Sequence, residues 1–452
     1  MDYHKNNKIN YAFYCFVWNV FTRVVRKMNI LVFSEAAWDD KNSFGNTVSN
    51  FFCGDIWKED SFLNFYARNQ IPDNKMNVSY YQLSAIEIVK GISHLRIAGK
   101  CFSSSDCDNN EKIDFDYEQE RRNIDKLHKR KNEFVYFVHE MIWKSGIWIN
   151  RYFDTFIKEN EPDILFAFAT SPYILWQLIQ YLKKDTKCKI VILIADDTYG
   201  NYDKAVWYRK RYLKRELKKC ILAADKLYGI SDEMSELYQA RFEKNVTTLY
   251  KGCDLSHGSK EFLNSPLRLV YAGNLLWGRD DILSEIAKTL EKINIDGCKA
   301  IMEIYTGTLI TTELEQKLNR GYSSQIKGLR PYEDIKRIMH ESDVVLHVES
   351  FEEETIDTVK YSLSTKIIDC LQSGNQVLGI GPSEIASIKY LKRVKGAIVV
   401  DSQENIEIAL KNLINNPEQI LHRAIETRSY ALEKHDINKV QKRLRSELNS
   451  LY

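Results

Sequence analysis

Two segments in the second half of the chain carry basic residues where a phosphate could bind. The first runs from Tyr271 to Arg279 and contains Gly273, Asn274 and Gly278. Glycine lets a backbone turn tightly and approach a ligand, and arginine offers phosphate a forked, permanently charged donor. An ordinary glycine-rich loop with a solvated arginine fits the same residues. The pattern alone leaves both interpretations open.

The second segment, residues 361–374, contains Ser364, Thr365 and Lys366, with Asp369 about one turn later. Ser364 or Thr365 is expected to cap a helix. A lysine in a first helical turn opposes the helix dipole, and an anionic ligand at the helix start would account for it. Asp369 is placed to accept hydrogen bonds from sugar or ribose hydroxyls. We favour a ligand site here over a capped helix with two solvated charges.

Two weaker candidates lie in the first half of the chain. The segment 42–47 contains Gly45, follows the first predicted strand, and is expected to form a loop that faces a cleft. Asp196 and Asp197 follow a later strand. Paired carboxylates bind metals, hold sugar hydroxyls or transfer protons, and Asp197 is our candidate catalytic base. A loop or helix-capping role fits the pair equally well.

Several other kinds of site lack their signatures. The net charge of the 452 residues is +2, which argues against nucleic-acid binding. Nine scattered cysteines without a CxxC predict reduced thiols in a cytosolic protein. His139 and His347 are expected in the core or at its rim. The sequence has no P-loop, GxSxG or GxGxxG.

Alternating strands and helices must position these residues. Strands are predicted at 29–34, 76–83, 164–168, 189–195, 246–250, 267–272, 300–305, 324–328, 343–348, 376–380 and 397–400. Strands separated by helices imply parallel sheets with right-handed crossovers. Ligands of such sheets bind outside the carboxyl ends of the strands, which is where the candidate segments fall.

A polar stretch with Gly, Ser, Asn and Pro, residues 252–266, is the predicted interdomain linker. The predicted domains are 28–258 and 266–425, followed by a C-terminal helix over 426–452. Residues 1–27 form either an upstream extension or an aromatic, basic segment at a membrane interface. No apolar stretch is long enough to cross a bilayer.

The second half of the chain resembles the donor-binding domain of GT-B glycosyltransferases, particularly the family 4 type of bacterial polysaccharide assembly. The motifs that carry the resemblance are at 271–274, 278–279, 326–328, 342–346 and 364–374, with 228–234 and 249–254 in the first half. The resemblance implies an α/β protein of two Rossmann-like domains with parallel sheets facing a central cleft. It also implies a C-terminal helix that crosses back to the first domain.

The resemblance assigns roles on the donor side. Arg279 falls where the family places a basic residue on the donor diphosphate, and Asn274 stands where an arginine is usual. Lys366 and its helix start would support the same phosphates. Asp369 takes the place of a ribose-binding glutamate, and Arg330 would lie near the base. Such enzymes stabilise the departing diphosphate with positive charge, so neither a bound metal nor a cofactor is expected.

The remaining implications concern the sugar and the acceptor. The Gly45 segment corresponds to a flexible glycine loop facing both substrates. The family has two glutamates eight positions apart, but Tyr361 stands eight positions before Asp369. The acid that would hold the donor sugar is therefore missing or displaced to the cluster 349–354. Analogy predicts retention of anomeric configuration.

The sequence thus predicts transfer of a sugar from a nucleotide-sugar donor to a glycan or lipid-linked acceptor in capsule, O-antigen or exopolysaccharide synthesis. The enzyme would be cytoplasmic, at the inner face of the membrane. Basic residues on the predicted helix 203–223 would contact anionic lipid, or simply form a solvated face. The alternative functions are a catalytically silent GT-B-like scaffold for a partner enzyme and a nucleotide-sugar epimerase.

Overall fold

The computed structural model describes residues 27–94, 97–108 and 133–452. Nearly all of the predicted N-terminal extension lies outside these residues. Met28 directly precedes the first strand and is fully buried. Among the described residues, no helix combines the length and the apolar character that a membrane span requires.

The first sheet has eight strands in the order β4-β3-β2-β1-β5-β6-β7-β8, and all neighbours are parallel except β3 and β4. The strands are β1 (Asn29–Ser34), β2 (Ser61–Tyr66), β3 (Val78–Gln82), β4 (Lys100–Ser103), β5 (Ile164–Phe168), β6 (Lys189–Ile194), β7 (Lys226–Gly229) and β8 (Val246–Thr248). The helices of this half are α1 (Ser43–Phe52), α2 (Ala85–Ser93), α3 (Ser104–Asp108), α4 (Glu133–Lys144), α5 (Arg151–Asn160), α6 (Pro172–Asp185), α7 (Thr198–Asn201), α8 (Trp207–Ala223) and α9 (Asp232–Phe242).

The second sheet has six parallel strands in the order β11-β10-β9-β12-β13-β14. Its strands are β9 (Leu267–Ala272), β10 (Ala300–Tyr305), β11 (Ser324–Gly328), β12 (Val344–Val348), β13 (Gln376–Ile380) and β14 (Ile398–Val400). The remaining helices are α10 (Arg279–Ile293), α11 (Thr312–Leu318), α12 (Tyr332–Glu341), α13 (Glu353–Val359), α14 (Lys366–Gln372), α15 (Ala386–Arg393), α16 (Ile406–Asn415), α17 (Glu418–Lys434) and α18 (Ile437–Asn449).

Both sheets are covered by helices on their two faces, which is why their central strands, β1, β5, β6, β12 and β13, are buried almost throughout. Successive side chains of a strand point to opposite faces. In β1, Leu31 and Phe33 join one core cluster while Ile30 and Val32 join another. The predicted α/β class with two Rossmann-like domains is therefore confirmed.

The final helix, α18, crosses back to the first domain as predicted. Leu444 and Leu448 are fully buried in the first domain's core. The side chain of Gln441 donates to the Asn50 carbonyl at 2.7 Å, and Arg445 forms a buried ion pair with Asp60. The predicted boundary at 426 falls inside α17, so the crossing occurs later than the sequence suggests.

The chain passes between the domains at two adjacent places. Cys253, in the linker after β8, donates its N–H to the His435 carbonyl at 2.5 Å. Ile437 then donates its N–H to the Cys253 carbonyl at 3.1 Å. The outgoing and the returning segments are therefore hydrogen-bonded to each other where they cross.

Candidate active site

A cavity of about 690 Å³ lies between the two domains, at the carboxyl ends of both sheets. The first domain lines it with Ser34, Glu35, Ala36, Ser43, Phe44, Thr47, Arg68, Phe168, Thr170, Ala195, Asp196 and Ile230. The second domain lines it with Asn274, Trp277, Arg279, Glu349, Val359, Ser362, Leu363, Ser364, Thr365 and Lys366. Its place in the fold is the one where open α/β sheets bind ligands.

Arg279 is fixed on one wall of the cavity by three acceptors. It begins α10, and its guanidinium donates to Asn274 Oδ1 at 2.8 Å, Glu349 Oε2 at 2.7 Å and the Val348 carbonyl at 3.3 Å. Gly278, just before it, has φ +66°, and a Cβ there would lie 2.5 Å from the hydroxyl of Ser350. Asn274 thus orients the arginine.

Lys366, the first residue of α14, faces the same cavity. Within the parts of the chain that the structure describes, its ammonium forms no ion pair or hydrogen bond; it lies 5.8 Å from the centre of the Tyr271 ring. Burial and the neighbouring charge of Arg279 lower the pKa of Lys366 to about 8. A Cβ on Gly273 would come within 2.4 Å of Lys366 Nζ, so this glycine makes room for the ammonium.

Ser364 and Thr365 also line the cavity, but their predicted capping role is wrong. Thr365 occupies the N-cap position and its side chain makes no capping hydrogen bond. The backbone N–H of Ser364 donates to the hydroxyl of Ser387 at 3.0 Å. The chain enters α14 with Thr365 already in helical conformation, and a cap needs an extended backbone at that position.

Glu349 is the acid of the cluster 349–354 that lies in the cavity. It directly follows β12 and is only 2% exposed, and His347 Nε2 lies 3.2 Å from its Oε1. Burial raises the pKa of Glu349, but His347 and Arg279 outweigh it and lower the pKa to about 2. The carboxylate therefore stays charged and holds Arg279.

Three predicted donor residues, Gly273, Asp369 and Arg330, lie outside the cavity lining. Asp369, in the middle of α14, accepts a hydrogen bond from the phenol of Tyr332 at 2.9 Å. Arg330 is exposed in the loop between β11 and α12.

The two aspartates after β6 have different surroundings. Asp197 caps α7 by accepting from the Gly200 N–H at 3.0 Å and pairs with Arg241 at 2.6 Å. Asp196 lines the cavity and accepts from the hydroxyl of Ser362, in the second domain, at 2.9 Å. The structure therefore favours the helix-capping role of Asp197 over the role of a catalytic base.

Gly45 lies in the first turn of α1, so the predicted flexible loop at this position is wrong. The side chain of Asn42 caps the helix by accepting from the Gly45 N–H at 2.7 Å. A Cβ on Gly45 would lie 2.2 Å from the Asp39 carbonyl oxygen. The glycine therefore serves close packing, and its neighbours Ser43 and Phe44 line the cavity.

Sequence reasoning missed an ion pair on the first-domain wall. Glu35 directly follows β1 and pairs with Arg68 at 2.9 Å. The rule that ligands bind after strand ends points to Glu35. Arg68 follows β2, a strand that we did not predict.

Searches against protein-family models and against curated protein sequences give no match. Solved structures do match over almost the whole chain. Sucrose-phosphate synthase from Thermosynechococcus elongatus has a TM-score of 0.63 at 10% identity, covering 94% of this chain and 99% of its own. Anabaena Alr3699/HepE, in complex with UDP and glucose, has a TM-score of 0.59 at 11% identity, covering 94% and 100%.

A third similar structure is described as trehalose-6-phosphate from E. coli bound with UDP-2-fluoro glucose. Its TM-score is 0.56 at 10% identity, with coverage of 93% of this chain and 98% of that one. At such identities these structures establish the fold, which is GT-B.

Proposed function

We propose that this protein is a glycosyltransferase that moves a sugar from a nucleotide-sugar donor to a hydroxyl of a glycan or lipid-linked acceptor. One observation carries the proposal: Lys366, a cation without an anionic partner among the described residues, shares the interdomain cavity with Arg279. Two of the similar structures support it, since one is in complex with UDP and glucose and the other is bound with UDP-2-fluoro glucose.

In this proposal the donor diphosphate binds between Lys366 and Arg279. When the bond between the sugar and the phosphate breaks, negative charge develops on the departing diphosphate, and two fixed cations stabilise that charge. Glu349 and Asn274 hold Arg279 in place before the donor arrives, so little reorganisation accompanies the reaction. Gly273 leaves the space in which the Lys366 ammonium lies.

The nucleoside would extend past α14 toward Asp369 and Arg330, with the Asp369 carboxylate on the ribose. The acceptor would lie against the first-domain wall, where Glu35, Arg68 and Asp196 offer polar groups to sugar hydroxyls. From the resemblance alone we further propose retention of anomeric configuration, no need for a bound metal, and a role in capsule, O-antigen or exopolysaccharide synthesis at the cytoplasmic face of the membrane.

Calorimetric titration with UDP, GDP and their common sugar conjugates tests the donor site. We expect one nucleotide class to bind, and expect Lys366→Ala and Arg279→Ala each to weaken binding by about tenfold or more, as for a lost charge-assisted contact. Lys288→Ala is the matched control, because Lys288 is exposed on α10 in the same domain. Arg279→Ala also requires a check of folding, because Glu349 loses its partner.

The alternatives make different predictions in the same experiment. A folded wild-type protein that binds no nucleotide would contradict the transferase proposal and favour a scaffold. Conversion of the donor sugar without any acceptor would favour an epimerase. Transfer to an acceptor, lost in Lys366→Ala and kept in Lys288→Ala, is the result that we expect.

A further inference from the structure

Helix α8 presents an unusual outward face. The exposed residues Trp207, Arg211, Arg215, Lys218 and Leu222 recur at spacings of three and four, so they lie along one side of the helix. Trp207 is 77% exposed and Leu222 is 49% exposed. An aromatic ring at one end and a leucine at the other thus bracket three cations. We call these five residues the outward face of α8.

The opposite side of α8 is held firmly against the domain. Leu213, Leu217 and Ile221 are buried in the core of the first domain. Arg209, near the helix start, forms a largely buried ion pair with Glu140 of α4. The outward face is therefore a rigid surface.

The charge of α8 is strongly one-sided. Its seventeen residues include seven Lys or Arg and one acid, Glu216. Glu216 is buried and forms ion pairs with Lys219 and Arg215. Asp203, just before the helix, forms ion pairs with Lys210 and Lys214.

Arg211 and Lys218 form no ion pair with the described part of the chain, and both line a groove of about 560 Å³ along the helix. The groove is lined by Tyr199, Trp207, Lys210, Arg211, Lys214, Arg215 and Lys218.

We propose that the outward face of α8 docks on an anionic lipid surface. Basic residues on a helix surface are attracted to the negative potential of anionic lipids. Tryptophan favours the boundary between head groups and acyl chains. A polyanionic glycan would satisfy the cations, but it offers no apolar phase for Trp207 and Leu222. For that reason we commit to lipid.

The position of α8 in the chain connects this docking surface to the cavity. Asp196, in the cavity wall, is followed directly by α7 and then by α8, and Lys204 between them contacts Thr358 of the second domain at 3.0 Å. Docking through α8 would bring the first-domain wall close to the membrane, where a lipid-linked acceptor resides. Only this last step rests on the proposed function; the docking itself does not.

Co-sedimentation of the full chain with vesicles tests the proposal without any nucleotide. We expect binding to an equal mixture of phosphatidylcholine and phosphatidylglycerol, little binding to phosphatidylcholine alone, and weaker binding as salt rises. The triple variant Arg211→Glu/Arg215→Glu/Lys218→Glu should bind at least about tenfold more weakly. Trp207→Ala should weaken binding several-fold without a change in charge.

The matched control is Lys288→Glu/Lys299→Glu/Lys389→Glu, which makes the same charge change at exposed positions of the second domain. Equal loss in both triple variants would overturn the proposal, because net charge alone would then explain the binding. Binding to dextran sulfate with none to vesicles would also overturn it, in favour of a polyanionic glycan. Circular dichroism of each variant checks that it has folded.

Discussion

The phenol of Tyr332 donates a hydrogen bond of 2.9 Å to Oδ1 of Asp369. Burial and the charge of Asp369 raise the pKa of Tyr332, so the phenol keeps its proton and remains the donor. The carboxylate to which we assign the ribose is thus already occupied by a side chain of the same domain. A nucleotide that used Asp369 would have to replace this hydrogen bond with its own.

Removing that competition should strengthen nucleotide binding. Tyr332→Phe keeps the ring but deletes the donor, and a hydrogen bond to a charged group contributes about 1.5 kcal/mol, so we expect about tenfold tighter binding by calorimetry. Asp369→Asn should weaken binding. If Tyr332→Phe binds no better than wild type while Asp369→Asn still weakens binding, that result would contradict the replacement of the Tyr332 hydrogen bond by the nucleotide. It would still support the assignment of Asp369 to the donor site.

Donor affinity should depend on pH through Lys366. Its pKa of about 8 in the free protein means that the ammonium is charged below that pH and neutral above it. The affinity for a nucleotide sugar should be constant at lower pH and fall up to about tenfold per unit above pH 8, because the neutral amine does not attract the diphosphate. In Lys366→Arg, which stays charged, the fall should disappear. An unchanged pH profile in that variant would contradict the assignment.

Glu349 should stabilise the fold in a pH-dependent way. Its folded pKa of about 2 lies below its ordinary value of 4.5, so its contribution is complete above about pH 4.5 and is lost as the pH falls toward 2. At neutral pH we expect Glu349→Gln to lower the free energy of unfolding by about 3 kcal/mol, measured by denaturant titration. The exposed Glu354→Gln serves as control, with a change within about 0.5 kcal/mol.

The returning helix α18 should contribute to the free energy of unfolding of the first domain. Leu444 is fully buried in that core, and Leu444→Ala should cost about 3 kcal/mol, as large-to-small core changes do. Leu432→Ala, at an exposed position of α17, should change stability by about 0.5 kcal/mol or less. Similar effects of the two substitutions would show that α18 contributes little to the first domain.

The second sheet was predictable from sequence, because all of its strands except the polar edge strand β11 are short, mainly apolar runs bounded by turns. Strands β9, β10, β11 and β13 have the predicted bounds. In the first sheet β2, β4 and β7 were not predicted. Asn64 interrupts the apolar pattern of β2, yet it is buried and bonds to the Trp38 N–H at 3.1 Å and the Val32 carbonyl at 3.1 Å. β4 is a short, partly exposed edge strand.

Within the site, contacts were predictable from sequence only between residues of the same loop. Asn274 and Arg279 lie five residues apart and meet directly. Glu349 is seventy positions from Arg279, and no spacing rule on one helix predicts that contact. Asp197 pairs with Arg241, forty-four positions later. Tertiary packing therefore determines that Asp196 lines the cavity while Asp197 pairs with Arg241.

The two hydrogen-bonded crossings at Cys253 and at His435–Ile437 limit how the domains can move. A single crossing would allow rotation about every axis, whereas two crossings tied side by side resist twisting, because a twist would break the hydrogen bonds between them. The motion of lowest cost is then a swing about the line through both crossings. Each closing swing would return Asp196 to the hydroxyl of Ser362, so the two cavity walls would meet in the same register every time.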